Sequence, residues 1–255
     1  MIKLFLAVPT TGTVVDSQVA ILRDLAEKYK DQIQFVYPNR MVRRIFHDFA
    51  RNAMVEDFLD SGADIMWFLD SDVTPPPHIL DLIVEHGDKW KVAGAVYPVF
   101  MIPPGFTNTQ IVFTAYAQNL TGQLSPQPVI PTSGTDWVDG LATGCLFIKR
   151  EVFTEILPEV PYFKFSFNEQ TRVMTEGEDF YFARRCMEKG LKFFTDYSMV
   201  CRHQKSLDLL DLNNYAVEYA NRAVAAYDRA IRAQLESAIS SRPRAKSSII
   251  LPGSR

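Results

Sequence analysis

Asp70 and Asp72 stand one residue apart where the apolar run Ile65-Met66-Trp67-Phe68-Leu69 stops, and Val73-Thr74-Pro75-Pro76-Pro77 follows them. Side chains at i and i+2 point the same way from a strand or its exit. Both carboxylates are therefore expected to reach one point at the C-terminal edge of a sheet. Two carboxylates held close together repel, and a divalent cation relieves that repulsion. Oxygen ligands suit Mg²⁺ or Mn²⁺, which bind through carboxylates together with the phosphates of a substrate. The pair reads as a metal–diphosphate site; the plainer alternative is two turn-forming aspartates after a strand.

Other residue types in the chain can do related chemistry. His203 follows Met199-Val200-Cys201 at the end of a late strand pattern, and a neutral imidazole is a suitable further ligand for a Mn²⁺-like ion. A surface histidine between Arg202 and Lys205 is the competing reading. His47, His78 and His86 lie on helical patterns and read as surface or packing residues. Thr175-Glu176-Gly177-Glu178 fits a capping box, with Thr175 as cap and Glu178 at the third helical position. Asp179 then projects from a first turn, where the helix dipole favours an anion. Arg51 offers a guanidinium fork that pairs with phosphate oxygens, in a neighbourhood made basic by Arg40, Arg43 and Arg44. Such a basic run is more often a solvated face. Gly140 and Gly144, after Asp136-Trp137-Val138-Asp139, let a ligand approach the backbone closely. Trp137 suits either stacking on an apolar sugar face or a place in the core.

The elements that must position these groups alternate. Residues 2–8 read as a strand, and 14–30 as an amphipathic helix with Val15, Val19, Leu22 and Leu25–Ala26 on one face. Residues 33–37 form a strand, 44–61 a helix closed by Ser61-Gly62, and 65–69 a third strand. Residues 77–86 read as a helix with its prolines at the start, and 92–97 as a strand. Alternation of this kind implies a mainly parallel sheet with helices on both faces, whose ligands bind at the carboxyl ends of strands. From Pro98 to Pro131 turn signals bracket one clear strand, 111–116, which suggests a hairpin and loops over the open side of the sheet. The regular pattern resumes with strands at 145–149, 192–195 and 199–203 and helices at 151–156 and 178–189. Residues 208–238 carry a long alanine-rich helical pattern, in which Tyr215, Tyr219, Ala223 and Tyr227 form a stripe suited to packing on the preceding domain or to a dimer contact. The end, 241–255, is polar and basic.

Composition narrows the classes. The chain has 255 residues, 47% of them hydrophobic and 22% charged, which suits a packed α/β domain with an extension. A net charge of -3 gives no support to bulk electrostatic binding of nucleic acid. The three cysteines are widely spaced with no CxxC, so a disulfide framework or zinc site is not expected and a reducing compartment fits. The first apolar run is too short to span a membrane and reads as a buried strand. A soluble, cytoplasmic protein is expected, with any membrane association peripheral.

Four segments in order resemble the GT-A glycosyltransferases, close to the broad family 2 type: Phe68-Leu69-Asp70-Ser71-Asp72, similar to the DxD motif; Ala50-Arg51-Asn52 in the preceding helix; Asp139-Gly140-Leu141-Ala142-Thr143-Gly144-Cys145; and Glu176-Gly177-Glu178-Asp179 followed by His203. The resemblance spans about residues 2–205. It implies a GT-A type (Rossmann-like) α/β fold, mixed and mainly parallel, over 1–205. The nucleotide-sugar half would lie at about 1–97 and the acceptor half at about 98–205, with a helical extension at 206–240 and a flexible basic tail at 241–255. It also implies a nucleotide-diphosphate sugar donor and Mn²⁺ or Mg²⁺ as cofactor. By that resemblance Asp72 ligates the metal directly, Asp70 is its partner on the ribose or a metal-bound water, and His203 is a distal ligand. Pro9, Thr10 and Thr11 would hold base and ribose, Arg51 would meet the diphosphate or the nucleotide, Asn52 would orient Arg51 or contact the donor, and Trp137, Asp139 and Gly144 would lie at the donor sugar. An inverting enzyme needs a carboxylate to take the acceptor's proton; Asp179 is expected to be that base, with Glu178 in reserve. Two other readings remain. One is a sugar-nucleotide pyrophosphorylase or nucleotidyltransferase, disfavoured because Pro9-Thr10-Thr11-Gly12 has one glycine and no basic residue. The other is a non-catalytic nucleotide-sugar-binding module. The acceptor, whether glycan, lipid-linked sugar, protein or modified nucleic-acid base, is not specified.

Overall fold

A computed structural model describes residues 1–9, 14–38, 46–101, 110–119, 122–127 and 129–205. The expectations for Thr10, Thr11, Arg40, Arg43, Arg44, the helical extension with its tyrosine stripe, and the basic tail fall outside them. Fifteen strands are described: β1 Ile2–Ala7, β2 Ile33–Val36, β3 Ile65–Leu69, β4 Val73–Thr74, β5 Val92–Gly94, β6 Pro98–Met101, β7 Gln110–Gln118, β8 Leu124–Gln127, β9 Thr135–Val138, β10 Gly140–Leu141, β11 Cys145–Lys149, β12 Ser166–Phe167, β13 Met174–Glu176, β14 Phe193–Asp196 and β15 Arg202–His203. The α-helices are α1 Asp16–Lys28, α2 His47–Ser61, α3 Asp81–Val84 and α4 Glu178–Glu188.

The main sheet has the order β2-β1-β3-β11-β5-β14-β9. β1 runs parallel to β2 and β3, and β14 to β5, whereas β11 and β9 are antiparallel to their neighbours. Thus β2, β1, β3, β5 and β14 share one direction, and the mixed, mainly parallel sheet expected from the alternating pattern is present. Burial of both faces explains why β3 and β11 read as unbroken apolar runs. Ile65, Trp67 and Leu69 enter one core cluster with Leu25 of α1, Tyr29 just past it, and Leu82 and Ile83 of α3. Met66 and Phe68 enter the other with Met54, Val55 and Phe58 from α2 and Phe182 and Cys186 from α4. Among the described residues no helix is long and apolar enough to cross a membrane.

Several local expectations are corrected. The buried face of α1 is rotated: Val19 is 57% exposed while Gln18 and Leu25 are buried, because Gln18 is held by backbone carbonyls of the sheet rim. The helix expected at 77–86 shrinks to α3. Prolines 75–77 offer no N–H, and Ile79, Asp81 and Leu82 close tighter turns onto Pro76, His78 and Ile79. The strand 92–97 stops at Gly94, after which the chain turns into β6 of a second, four-stranded sheet of β10, β7, β6 and β8. The region read as one hairpin with loops is therefore a sheet. Residues 151–156 form a π-helical turn over Val152–Ile156, closed by Leu157 N donating to Val152 O at 2.8 Å. Thr175 does not cap α4. It lies in β13, which pairs with β12, so Gly177 is the N-cap and Glu178 the first helical residue. The strand 199–203 is reduced to β15, which pairs antiparallel with β4. Gly62 ends α2 at φ 69°, a left-handed conformation natural to glycine.

Candidate active site

The rim of β3 is tied down from three sides. Asp70 N donates to Gly144 O at 2.9 Å, and Val73 N to Asp70 O at 3.0 Å. The buried Gln18 amide donates to Asp70 O at 2.7 Å and Val73 O at 2.6 Å. The Asp70–Val73 hydrogen bond makes the segment a turn rather than a continuing strand. The i, i+2 rule then no longer applies, and the two carboxylates do not meet the same partners. Asp70 takes Arg51 Nη2 at 3.0 and 3.3 Å. Asp72 Oδ2 faces His203 Nε2 at 3.4 Å and accepts from Lys205 Nζ. Among the described residues no three His, Cys, Asp or Glu side chains form a group able to hold a metal ion.

Asp72 and His203 come together because β15 pairs with β4 and Gln204 N donates to Asp72 O at 2.8 Å. His203 Nδ1 lies 2.9 Å from Pro98 O. A carbonyl oxygen only accepts, so Nδ1 donates in this contact. Tyr97 packs edge-on against the His203 ring, with centroids 5.0 Å apart. Burial pushes the Asp72 carboxyl up, but the His203 and Lys205 contacts outweigh it and hold it well below the usual range.

A second acidic station is built on α4. Arg51, 2% exposed, sits between Asp70 and Glu178, with Nε 3.4 Å from Glu178 Oε1 and its guanidinium 5.3 Å from the Phe68 ring. His47 Nδ1 is 3.8 Å from the same Glu178 oxygen. Burial pushes Glu178 up, but His47 and Arg51 bring it below its ordinary value. Asp179 goes the other way. Desolvation and the neighbouring Glu178 charge push it up to about 6, although Tyr116 and the Phe180 N–H favour its ionised form. Tyr116 donates to Asp179 Oδ2 at 2.9 Å. Burial and the Asp179 charge keep the Tyr116 phenol protonated. The Tyr116 ring stacks on Phe180 at 4.5 Å. Phe180 in turn lines an open cleft of about 950 Å³ with Gln118, Leu124, Met174, Arg184 and Met187.

Tyr97 joins the two stations. Its ring lies on His203, and its buried phenol, raised by desolvation, also feels the charges of both Asp70 and Asp179. Gly144 N donates to the Tyr97 hydroxyl at 3.1 Å, and a Cβ at position 144 would stand 2.3 Å from that oxygen. The small residue is thus required by Tyr97. Gly144→Ala is expected to lose about 1–3 kcal/mol through overpacking, measured by urea unfolding, and Tyr97→Phe in the same chain should restore part of the loss.

The other residues singled out in the sequence are placed differently. Asn52 uses its full hydrogen-bonding capacity on Asp48 O, Phe163 O, Tyr162 N and Phe163 N, at 2.7–3.2 Å, so it pins the 162–163 segment to α2 and does not orient Arg51. Asp139 is bound by Lys192 and by Gln118 N at 2.7 Å; burial raises it, but these contacts leave it below the usual value. Trp137 is 47% exposed on the edge strand β9, edge-on to Phe194, so it is not a core residue. Pro9 is half-buried just past β1. Sequence reasoning missed Gln18, His47, Tyr97, Tyr116 and Lys205 as parts of the constellation. Only Gln18 carried a local signal, as a polar residue beside an apolar stripe.

No family model matches the chain, and no curated protein matches it. Among solved structures, A197 from STIV is similar over 81% of this chain and 87% of that one, with 21% identity and a TM-score of 0.52. The two chains share a fold. Two glycosyltransferase structures also match, at TM-scores below one half. GalNAc-T7, determined with UDP, GalNAc and Mn²⁺, is similar over 82% of this chain and 44% of that one, with 12% identity and a TM-score of 0.48. The catalytic domain of Drosophila beta1,4-galactosyltransferase 7, in complex with xylobiose, is similar over 81% of this chain and 72% of that one, with 15% identity and a TM-score of 0.45.

Proposed function

We propose that the chain is a glycosyltransferase that moves a sugar from a nucleotide-diphosphate donor to an acceptor hydroxyl, with inversion, using Mn²⁺ or Mg²⁺. The observation that carries this reading is the placing of two acidic stations of opposite proton affinity about Tyr97, whose ring lies on His203 beside Asp72 and whose phenol feels the Asp179 charge. Asp72 is held as a carboxylate, whereas Asp179 is pushed up to about 6 by burial and the Glu178 charge. Groups whose environments drive their proton affinities apart are a mark of acid–base machinery.

Asp72 and His203 fit a divalent ion as two of its ligands. Adjacent ligands about 2.1 Å from an octahedral ion lie about 3 Å apart, close to the 3.4 Å between Asp72 Oδ2 and His203 Nε2. The backbone contact at Nδ1 is the outer support that ligating histidines commonly have. When bound, the ion would supply positive charge to the departing diphosphate. Asp70, whose charge Arg51 already balances, suits a ribose contact rather than metal ligation. The donor's base and ribose would lie toward Pro9, just past β1, with Thr10 and Thr11 next in the chain. Asp179 takes the acceptor's proton, Tyr116 orients it, and the acceptor chain lies in the cleft beside Phe180.

The test is a thermal-shift panel of nucleotide sugars with and without Mn²⁺. A donor at 100 times its Kd stabilises the native state by about 2.7 kcal/mol, so the right donor should raise Tm by several degrees in the presence of metal. Asp72→Ala should abolish the Mn²⁺-dependent part of that shift. A shift that is indifferent to Mn²⁺, or an Asp72→Ala protein that shifts like the wild type, would overturn the metal assignment. Tight nucleotide binding without turnover on any acceptor would instead favour a binding module.

A further inference from the structure

Asp72 already carries a cation. Lys205 Nζ donates to Asp72 Oδ2, the same oxygen that faces His203 Nε2 at 3.4 Å. The contact is anchored by the backbone on both sides. Gln204 N donates to Asp72 O at 2.8 Å, and His203 is paired with Val73 in the β4–β15 ladder. The side chains are not locked away: Lys205 is 49% and Asp72 33% exposed. A lysine stem carries a flexible point charge that can swing between partners. The nearby guanidinium, Arg51, is committed to Asp70 and Glu178, and the ammonium in contact with Asp72 is that of Lys205.

We propose that Lys205 is a tethered cation that holds the metal position on Asp72 until a metal–diphosphate complex displaces it. This inference rests on the reading of Asp72 and His203 as metal ligands. An ammonium on the ligating oxygen repels a divalent ion, so metal alone binds weakly. A diphosphate offers the displaced ammonium new oxygens and brings negative charge to the ion, so metal and diphosphate enter together. The free protein then keeps Asp72 neutralised without metal, and Lys205 becomes a positioning residue for the donor's phosphates.

The experiment is a titration of the purified protein with Mn²⁺, following the EPR signal of the free ion, with and without inorganic pyrophosphate. Lys205→Met should bind Mn²⁺ alone about fivefold more tightly than the wild type, the scale of losing a partly exposed ion pair. The tightening of Mn²⁺ binding by pyrophosphate should be smaller in Lys205→Met than in the wild type. Lys205→Arg, which keeps the cation, should bind Mn²⁺ alone like the wild type. Equal Mn²⁺ affinity in the wild type and Lys205→Met, with both tighter than Asp72→Ala, would overturn the tethered-cation inference alone. Equal affinity in all three would overturn the metal site together with it.

Discussion

Asp179→Asn is expected to lower sugar transfer by about 10²–10⁴-fold, the usual contribution of a positioned general base, while nucleotide-sugar binding is retained. Asparagine keeps an oxygen for the Tyr116 hydroxyl, which lies 2.9 Å from the Asp179 carboxylate, but cannot take a proton at neutral pH. With Asp179 pushed up to about 6, wild-type kcat/KM should fall below that pH with a single protonation and level off above it. An Asp179→Asn enzyme with normal turnover would exclude this residue as the base. Stability should move in the opposite direction. A carboxyl whose folded-state pKa is raised favours the fold when protonated, and that contribution is lost as pH rises through about 6. Asp179→Asn should therefore be more stable than the wild type at pH 8, with the difference vanishing below about pH 4. Gain of stability with loss of activity separates a catalytic carboxylate from a structural one.

Arg51→Met is expected to cost about 3–5 kcal/mol of folding stability, because it leaves the buried Glu178 and the half-buried Asp70 without their counter-charge. Arg51 is paired with Asp70 at 3.0 Å and with Glu178 at 3.4 Å, and its loss also removes an influence that lowers Asp179. Arg51→Lys should recover only part of the loss, since one ammonium does not reproduce a fork that spans two carboxylates. The pH dependence has a definite sign. Glu178 is held below its ordinary value by His47 and Arg51 despite burial, so its share of stability is present above about pH 4.5 and is lost as pH falls through its depressed folded value. The gap between wild type and Arg51→Met in urea unfolding should be widest near pH 8 and narrow toward pH 4. A variant as stable as the wild type at pH 8 would mean that the network contributes nothing.

The order of elements was legible because burial leaves a periodic mark. The runs Leu4–Ala7 in β1, Ile65–Leu69 in β3 and Cys145–Ile148 in β11 are apolar without alternation since both sheet faces are covered, and Gly62 marks the end of α2 at a positive φ. The same logic put Asp70 and Asp72 just past the C-terminal end of a sheet strand, where they lie after β3. It failed where a side chain answers a distant partner. Gln18 breaks the apolar stripe of α1 because two carbonyls at the rim need a donor. Thr175 and Glu178 have the spacing of a capping box, yet the pairing of β12 with β13 holds Thr175 in a strand.

Sequence alone determined the α/β alternation, the strand end that bears the acidic pair, and the residue types available for proton and metal chemistry, because these follow from local periodicity and side-chain chemistry. Only the tertiary structure decided which charge meets which. A four-residue turn parts Asp70 from Asp72, α2 brings Arg51 to the first, and the short ladder of β4 with β15 brings His203 and Lys205 to the second from more than a hundred residues away. Pairing between segments so far apart in the chain leaves no periodic trace at either end, and the proton affinity of each carboxylate is set by those neighbours rather than by its own position in the sequence.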